Sequence, residues 1–123
     1  MKKYVCLIYL DEADFEPMTQ RQRDGFVNAM LDNDEAMRRS GNFVDAHALA
    51  LPPAAVSVRV RGGKLSATDG PFAETKEHLS GFIVIEARDL NDAIRLAGDI
   101  PLAAVGTIEV RPIIRIERVE MDD

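Results

Sequence analysis

The sequence predicts an α+β domain whose strands and helices follow one another in the order βαββαβ, with one extra β-hairpin spliced in before the third strand. Three observations predict it. Two strongly apolar runs, Lys3–Leu10 and Gly81–Ala87, read as central strands. Each is followed by a capped stretch with apolar residues at helical spacing, and a Gly-Gly pair between two short β-rich runs marks the hairpin. The chain has 123 residues, 46% of them hydrophobic, which suits one domain with its own core. That domain is expected over residues 1–119, with 120–123 as a frayed tail.

Lys3–Leu10 is nearly continuous in β-forming apolar residues, as a strand covered on both faces would be. From Thr19 the period changes. Thr19-Gln20-Arg21-Gln22 has the form of a capping box, in which the Thr19 hydroxyl accepts from the Gln22 amide and the Gln22 side chain reaches back. Phe26, Val27, Met30, Leu31 and Met37 are the expected buried stripe of the helix, with Asp24, Asn28, Asp32 and Glu35 solvated, and Gly41 ends it. Phe43–Leu49 is the second strand, with Phe43, Asp45, His47 and Leu49 on one face, and Pro52-Pro53 closes it. Val56, Val58 and Val60 alternate with Ser57, Arg59 and Arg61. Gly62-Gly63 then supplies the positive φ angles of a tight turn into Lys64–Thr68. After Gly81–Ala87, Asp89 caps a short helix with Leu90, Ala93, Ile94 and Ala97 on its buried side. Thr107–Val119 alternates apolar and charged residues, and Pro112 within it favours a sheet edge because it cannot donate to a ladder.

Without the hairpin this is the ferredoxin-like order, whose last strand belongs at an edge. Its two helices cover one face of the sheet and leave the other to solvent or to a partner. Because the first and third of the six main elements' strands carry apolar residues at both parities, a second subunit is expected on the helix-free face, giving a homodimer. A cleft would then lie between sheet, loop and partner.

Net charge −6, with scattered basic residues, argues against direct nucleic-acid binding. Lys2-Lys3 ahead of Tyr4–Leu10 imitates a secretory leader, but Asp11-Glu12 cuts the run short and no small-residue cleavage site follows. No segment reaches the roughly 18 apolar residues of a membrane span. The single Cys6 cannot form an internal disulfide. The expected setting is the cytoplasm.

The run Thr68-Asp69-Gly70-Pro71-Phe72-Ala73-Glu74-Thr75-Lys76-Glu77 mixes turn formers, one aromatic and both signs of charge. It resembles the signature of the DGPF family, a branch of the YCII-related proteins. Met1–Tyr9, Gly81–Asp92 and Gly106–Pro112 also resemble that family's opening and closing segments, so the resemblance covers essentially the whole chain. It implies a dimeric α/β-barrel-type assembly and no settled reaction. In the wider YCII-related pattern a His on or near the first helix is paired with an Asp before a Pro at the exit of the second. Here Thr19–Ser40 contains no His, and Asp99-Ile100-Pro101 matches only loosely, so that activity does not carry over.

The candidate catalytic residues are His47, Asp69 and Glu74, and the candidate substrate-binding residues are Lys76 and Asp45. His47 sits two positions from Asp45 on one strand face, and imidazole titrates near neutrality. A hydrogen-bonded structural role is the alternative. Asp45-x-His47 lacks the third ligand a metal needs, and no cofactor is expected. For the signature, one reading is structural: Asp69-Gly70-Pro71 turns the chain, Asp69 accepts local amides, and Phe72 plugs into the core. In the other, Glu74 and Lys76 face the cleft, one shuttling a proton and one holding an anion. Cys6 lies in a buried strand and should be inert.

Two functions follow. One is binding of a small molecule in the dimer cleft, extending to a cofactor-free acid/base enzyme. The other is an accessory or ligand-binding regulatory module, since DGPF-like proteins resemble partners encoded beside extracytoplasmic-function sigma factors.

Overall fold

The computed structural model describes residues 1–122; Asp123, the end of the expected tail, lies outside the described residues. The elements are β1 (Lys2–Leu10), α1 (Gln20–Ser40), β2 (Phe43–Ala48), β3 (Val56–Arg61), β4 (Lys64–Asp69), β5 (His78–Ala87), α2 (Leu90–Gly98) and β6 (Thr107–Pro112). Four strands form one antiparallel sheet in the order β2-β5-β1-β6, and β3-β4 is a separate two-stranded ladder. This is the ferredoxin-like α+β arrangement with the hairpin inserted between β2 and β5.

The local signals hold where chemistry is specific. Thr19 Oγ1 accepts from the Gln22 amide at 3.2 Å while Gln22 Oε1 accepts from the Thr19 amide at 2.9 Å, closing both halves of the capping box. Gly41 ends α1 at φ 80°, a left-handed angle that costs glycine little. Gly62 and Gly63 turn the hairpin at φ 57° and 74°. Asp89 caps α2 through the Asp92 amide at 2.9 Å. β6 is an edge strand, as Pro112 requires.

The core fills the space between helices and sheet. Tyr4, Cys6 and Ile8 of β1 and Ile83, Ile85 and Ala87 of β5 point one way, onto Met37 of α1, onto Ala93, Leu96 and Ala97 of α2, and onto Ile100. Burial raises the Cys6 thiol to about 11, which keeps it protonated at neutral pH.

Four expectations need correction. In α1 the buried stripe is Met37 with half-buried Phe26 and Met30, whereas Val27 and Leu31 are exposed. Each follows its predecessor by about 100° around the axis and is turned away from the sheet. The same rotation exposes Ile94 behind Ala93, and Leu90 is exposed too, so Leu96 takes the core position in α2. β6 stops at Pro112: the Ile113 amide makes a last bond to Lys3 O at 3.0 Å, and residues 113–122 continue without regular structure. Phe72, expected as a core plug, is 83% exposed. The start of the loop is fastened instead to the base of the hairpin, by the Gly70 amide donating to Ala55 O at 2.7 Å and Ser57 Oγ donating to Gly70 O at 2.8 Å.

Candidate functional site

The side of the sheet facing away from both helices is where the chain gathers its unexplained polar groups. The register sets them in two rows across all four strands. Asp45, Val84, Val5 and Arg111 form one row, and His47, Phe82, Leu7 and Glu109 form the next. Partners opposite one another in an antiparallel ladder share a face, so four apolar side chains make a floor and a polar pair stands at each edge. With strands about 4.8 Å apart, the two edges are separated by about 14 Å, the width of a small organic molecule.

At the β2 edge His47 Nε2 lies 3.2 Å from Asp45 Oδ2, and both side chains are more than half exposed. The His47 ring leans on Phe82 with centroids 5.7 Å apart. Asp45 Oδ1 also accepts from the Ala46 amide at 3.0 Å, which fixes its carboxylate beside the irregularity between Phe43 and Asp45. β2 can approach β5 closely here because Gly81 has no side chain: a Cβ at that position would sit 2.7 Å from His47 O. At the β6 edge Arg111 Nη2 donates to Glu109 Oε1 at 2.5 Å. The sequence reading set Glu109 and Arg111 among the alternating charges of an edge strand. Only the cross-strand register, which aligns them with His47 and Asp45, marks them as part of one face.

The signature loop does not converge on this pair in the single chain. Lys76 Nζ reaches Asp11 Oδ2 at 4.0 Å, beyond the end of β1, and its side chain is 88% exposed. Glu74 is exposed. Thr75 Oγ1 donates to Glu77 O at 2.5 Å and shapes the exit into β5. Asp69 closes β4 opposite Val56 and is exposed; among the described residues it accepts no loop amide, and the Gly70–Ala55 bond turns the chain instead. His78 is the first residue of β5 and half-buried. His47 pairs with Phe82, four residues along β5 from His78, so the dyad and the loop occupy the same end of the sheet about 13 Å apart.

Two shallow apolar depressions lie elsewhere. One is formed by Met18, Gln22, Phe26 and Pro101 at the start of α1, the other by Ile94, Ala103, Ile108 and Val110 beside β6. Neither includes a candidate residue. Among the described residues no group of three or more His, Cys, Asp or Glu side chains is placed to hold a metal ion, and no helix is long and apolar enough to cross a membrane.

Among the described residues one carboxylate is held strongly in its charged form, and it has a structural explanation. Asp92 accepts from the Arg88 amide at 3.0 Å and from Arg95 Nη2 at 2.8 Å, with Arg88 Nη2 at 3.4 Å. These donors, the backbone amide foremost, lower its pKa to about 2. It sits in the first turn of α2, on the helix side of the sheet.

The YCII-related domain model matches residues 2–117. An uncharacterized protein of Rhizobium meliloti (strain 1021) is 30% identical over 112 residues, which is 89% of this chain and 90% of the relative. The chain therefore belongs to the YCII-related domain family.

Proposed function

We propose that this protein is a homodimer of the DGPF branch that binds a small molecule on the helix-free sheet face, with His47 as the group that exchanges a proton with it. The observation that carries the reading is the His47–Asp45 pair, 3.2 Å apart, exposed, and set at the rim of an apolar floor. With Nε2–H donating to Asp45, Nδ1 keeps its lone pair and is free to accept a proton from a ligand lying over Phe82, Leu7, Val84 and Val5. Asp45 holds the ring and stabilises the imidazolium that results. Glu109 and Arg111 receive the polar end of the ligand across the floor, Arg111 by a bidentate grip on a carboxylate or similar anion. A second copy closing over the face would bring the signature loop to the cleft, where Lys76 supplies a further cation and Glu74 and Asp69 further carboxylates.

A thermal-shift screen against a metabolite library tests this, because a ligand bound to the folded state raises its melting temperature. His47→Gln removes the imidazole at an exposed position. The expected result is a hit that stabilises the wild type and loses most of its shift in His47→Gln, while the two free proteins melt alike. An undiminished shift in the variant contradicts the reading.

A further inference from the structure

The floor of the helix-free face has a third row, and it carries a phenol. β1 sends Tyr4, Cys6 and Ile8 into the core, so Val5, Leu7 and Tyr9 share the opposite face. Tyr9 lies opposite Leu79 of β5 and Thr107 of β6, one row beyond the row of His47, Phe82, Leu7 and Glu109. Tyr4, the chain's other tyrosine, is buried in the core. The Tyr9 ring is half-buried. Among the described residues, the side-chain hydrogen bonds at this end of the sheet join Ser80 to His78, Ala13 to Asp11 and Thr75 to Glu77, and none takes the Tyr9 hydroxyl.

Water satisfies that hydroxyl while the floor is open. A molecule lying on the floor excludes the water, and a donor left bare against an apolar surface costs the complex the bond it had. A well-matched ligand therefore brings an acceptor to this spot. The hydroxyl's backbone is fixed, because β6 enters against Tyr9 at Gly106, where a Cβ would collide with Tyr9 O and with Leu10 Cδ2. Two residues further on, Asp11 faces Lys76. A carboxylate brought to Tyr9 would lie near that of Asp11, so the acceptor that suits this uncharged donor is an uncharged one.

We propose that Tyr9 selects the ligand by donating a hydrogen bond to a carbonyl oxygen, so that the site takes flat apolar keto acids. The proposal rests on the small-molecule reading above, in which Arg111 holds the acid. Two residues along a strand span about 7 Å and neighbouring strands lie about 4.8 Å apart. The Tyr9 and Arg111 Cα atoms are then about 14 Å apart, and those of Tyr9 and His47 about 12 Å. A two-ring body reaches between Tyr9 and Arg111 once both side chains extend inward, and it passes over Leu7 and Phe82 beside His47.

Titration of wild type and Tyr9→Phe with 6-acetyl-2-naphthoate and with 2-naphthoate, followed by nitrogen-15 correlation spectra at pH 7, tests the proposal. The two compounds differ in the acetyl carbonyl, and the two proteins in the hydroxyl. The wild type should bind the acetyl compound about tenfold more tightly, as one neutral hydrogen bond allows, and Tyr9→Phe should bind both alike. The two free proteins should melt together, since phenylalanine keeps the ring. Shifts on the floor with the same preference in both proteins overturn the role of Tyr9 and leave the floor as the binding site. A Tyr9→Phe protein that melts well below the wild type overturns it too, because the hydroxyl then holds the fold. Shifts gathered away from the floor overturn Tyr9 and the small-molecule reading together. Binding of neither compound refutes the keto-acid class alone, since the metabolite screen tests the floor independently.

Discussion

Gly81→Ala probes the joint between fold and site with a single methyl group. A Cβ at Gly81 would lie 2.7 Å from His47 O and 3.3 Å from Ala48 Cα, and both neighbours are backbone, so neither can rotate away. β2 must move outward by several tenths of an ångström, and His47 moves with it. Forcing a methyl into a packed contact costs about 1–3 kcal/mol. Gly81 is not among the glycines at positive φ, so alanine can adopt its backbone angles, and the lower chain entropy of the unfolded state returns about 0.5–1 kcal/mol. The net loss is about 1 kcal/mol, or about 4 °C of melting temperature for a domain of this size. Thermal unfolding followed by circular dichroism measures the first effect, and nitrogen-15 correlation spectra measure displacement of the His47 and Ala48 amides. A variant with the wild-type melting temperature and unmoved amides at both residues would show that β2 is not held against β5 as described.

Asp92 binds fewer protons folded than unfolded, because its pKa falls from 3.8 to about 2. Its contribution is therefore complete above pH 4 and is lost as pH falls from there towards 2, a slope that urea midpoints should show and that Asp92→Asn should flatten. Cys6, fully buried and raised to about 11, should not react with a thiol-specific reagent at pH 7 until the protein is unfolded; rapid labelling of the native state would refute its placement. Thr19→Ala removes one half of the capping box and should cost about 1 kcal/mol in denaturant titration, while Thr19→Ser should restore most of it.

Local chemistry was legible and long-range geometry was not. Thr19, Gly41, Gly62-Gly63 and Asp89 act within a few residues of themselves, and each does what its side chain or its lack of one dictates. The two-sided apolar strands revealed which elements lie at the sheet centre. Val27, Leu31 and Ile94 were misplaced because the apolar arc of each helix is wider than the part that meets the sheet, and only packing chooses among neighbours 100° apart. Phe72 was misplaced because an aromatic in a turn signals burial, whereas here bonds at Gly70 hold the turn and the ring stays exposed. The Asp45-x-His47 spacing foretold the pair. Glu109 and Arg111 needed the pairing of β1 with both β5 and β6, which no single segment of sequence contains.

The most direct test of the account is chemical-shift mapping of any hit from the metabolite screen onto the protein. The account predicts that perturbed resonances gather at Val5, Leu7, Phe82, Val84 and the His47 ring, with Glu109 and Arg111 at the far edge. Perturbations gathered instead around Met18, Phe26 and Pro101, in the depression at the start of α1, with His47 unmoved, would contradict it.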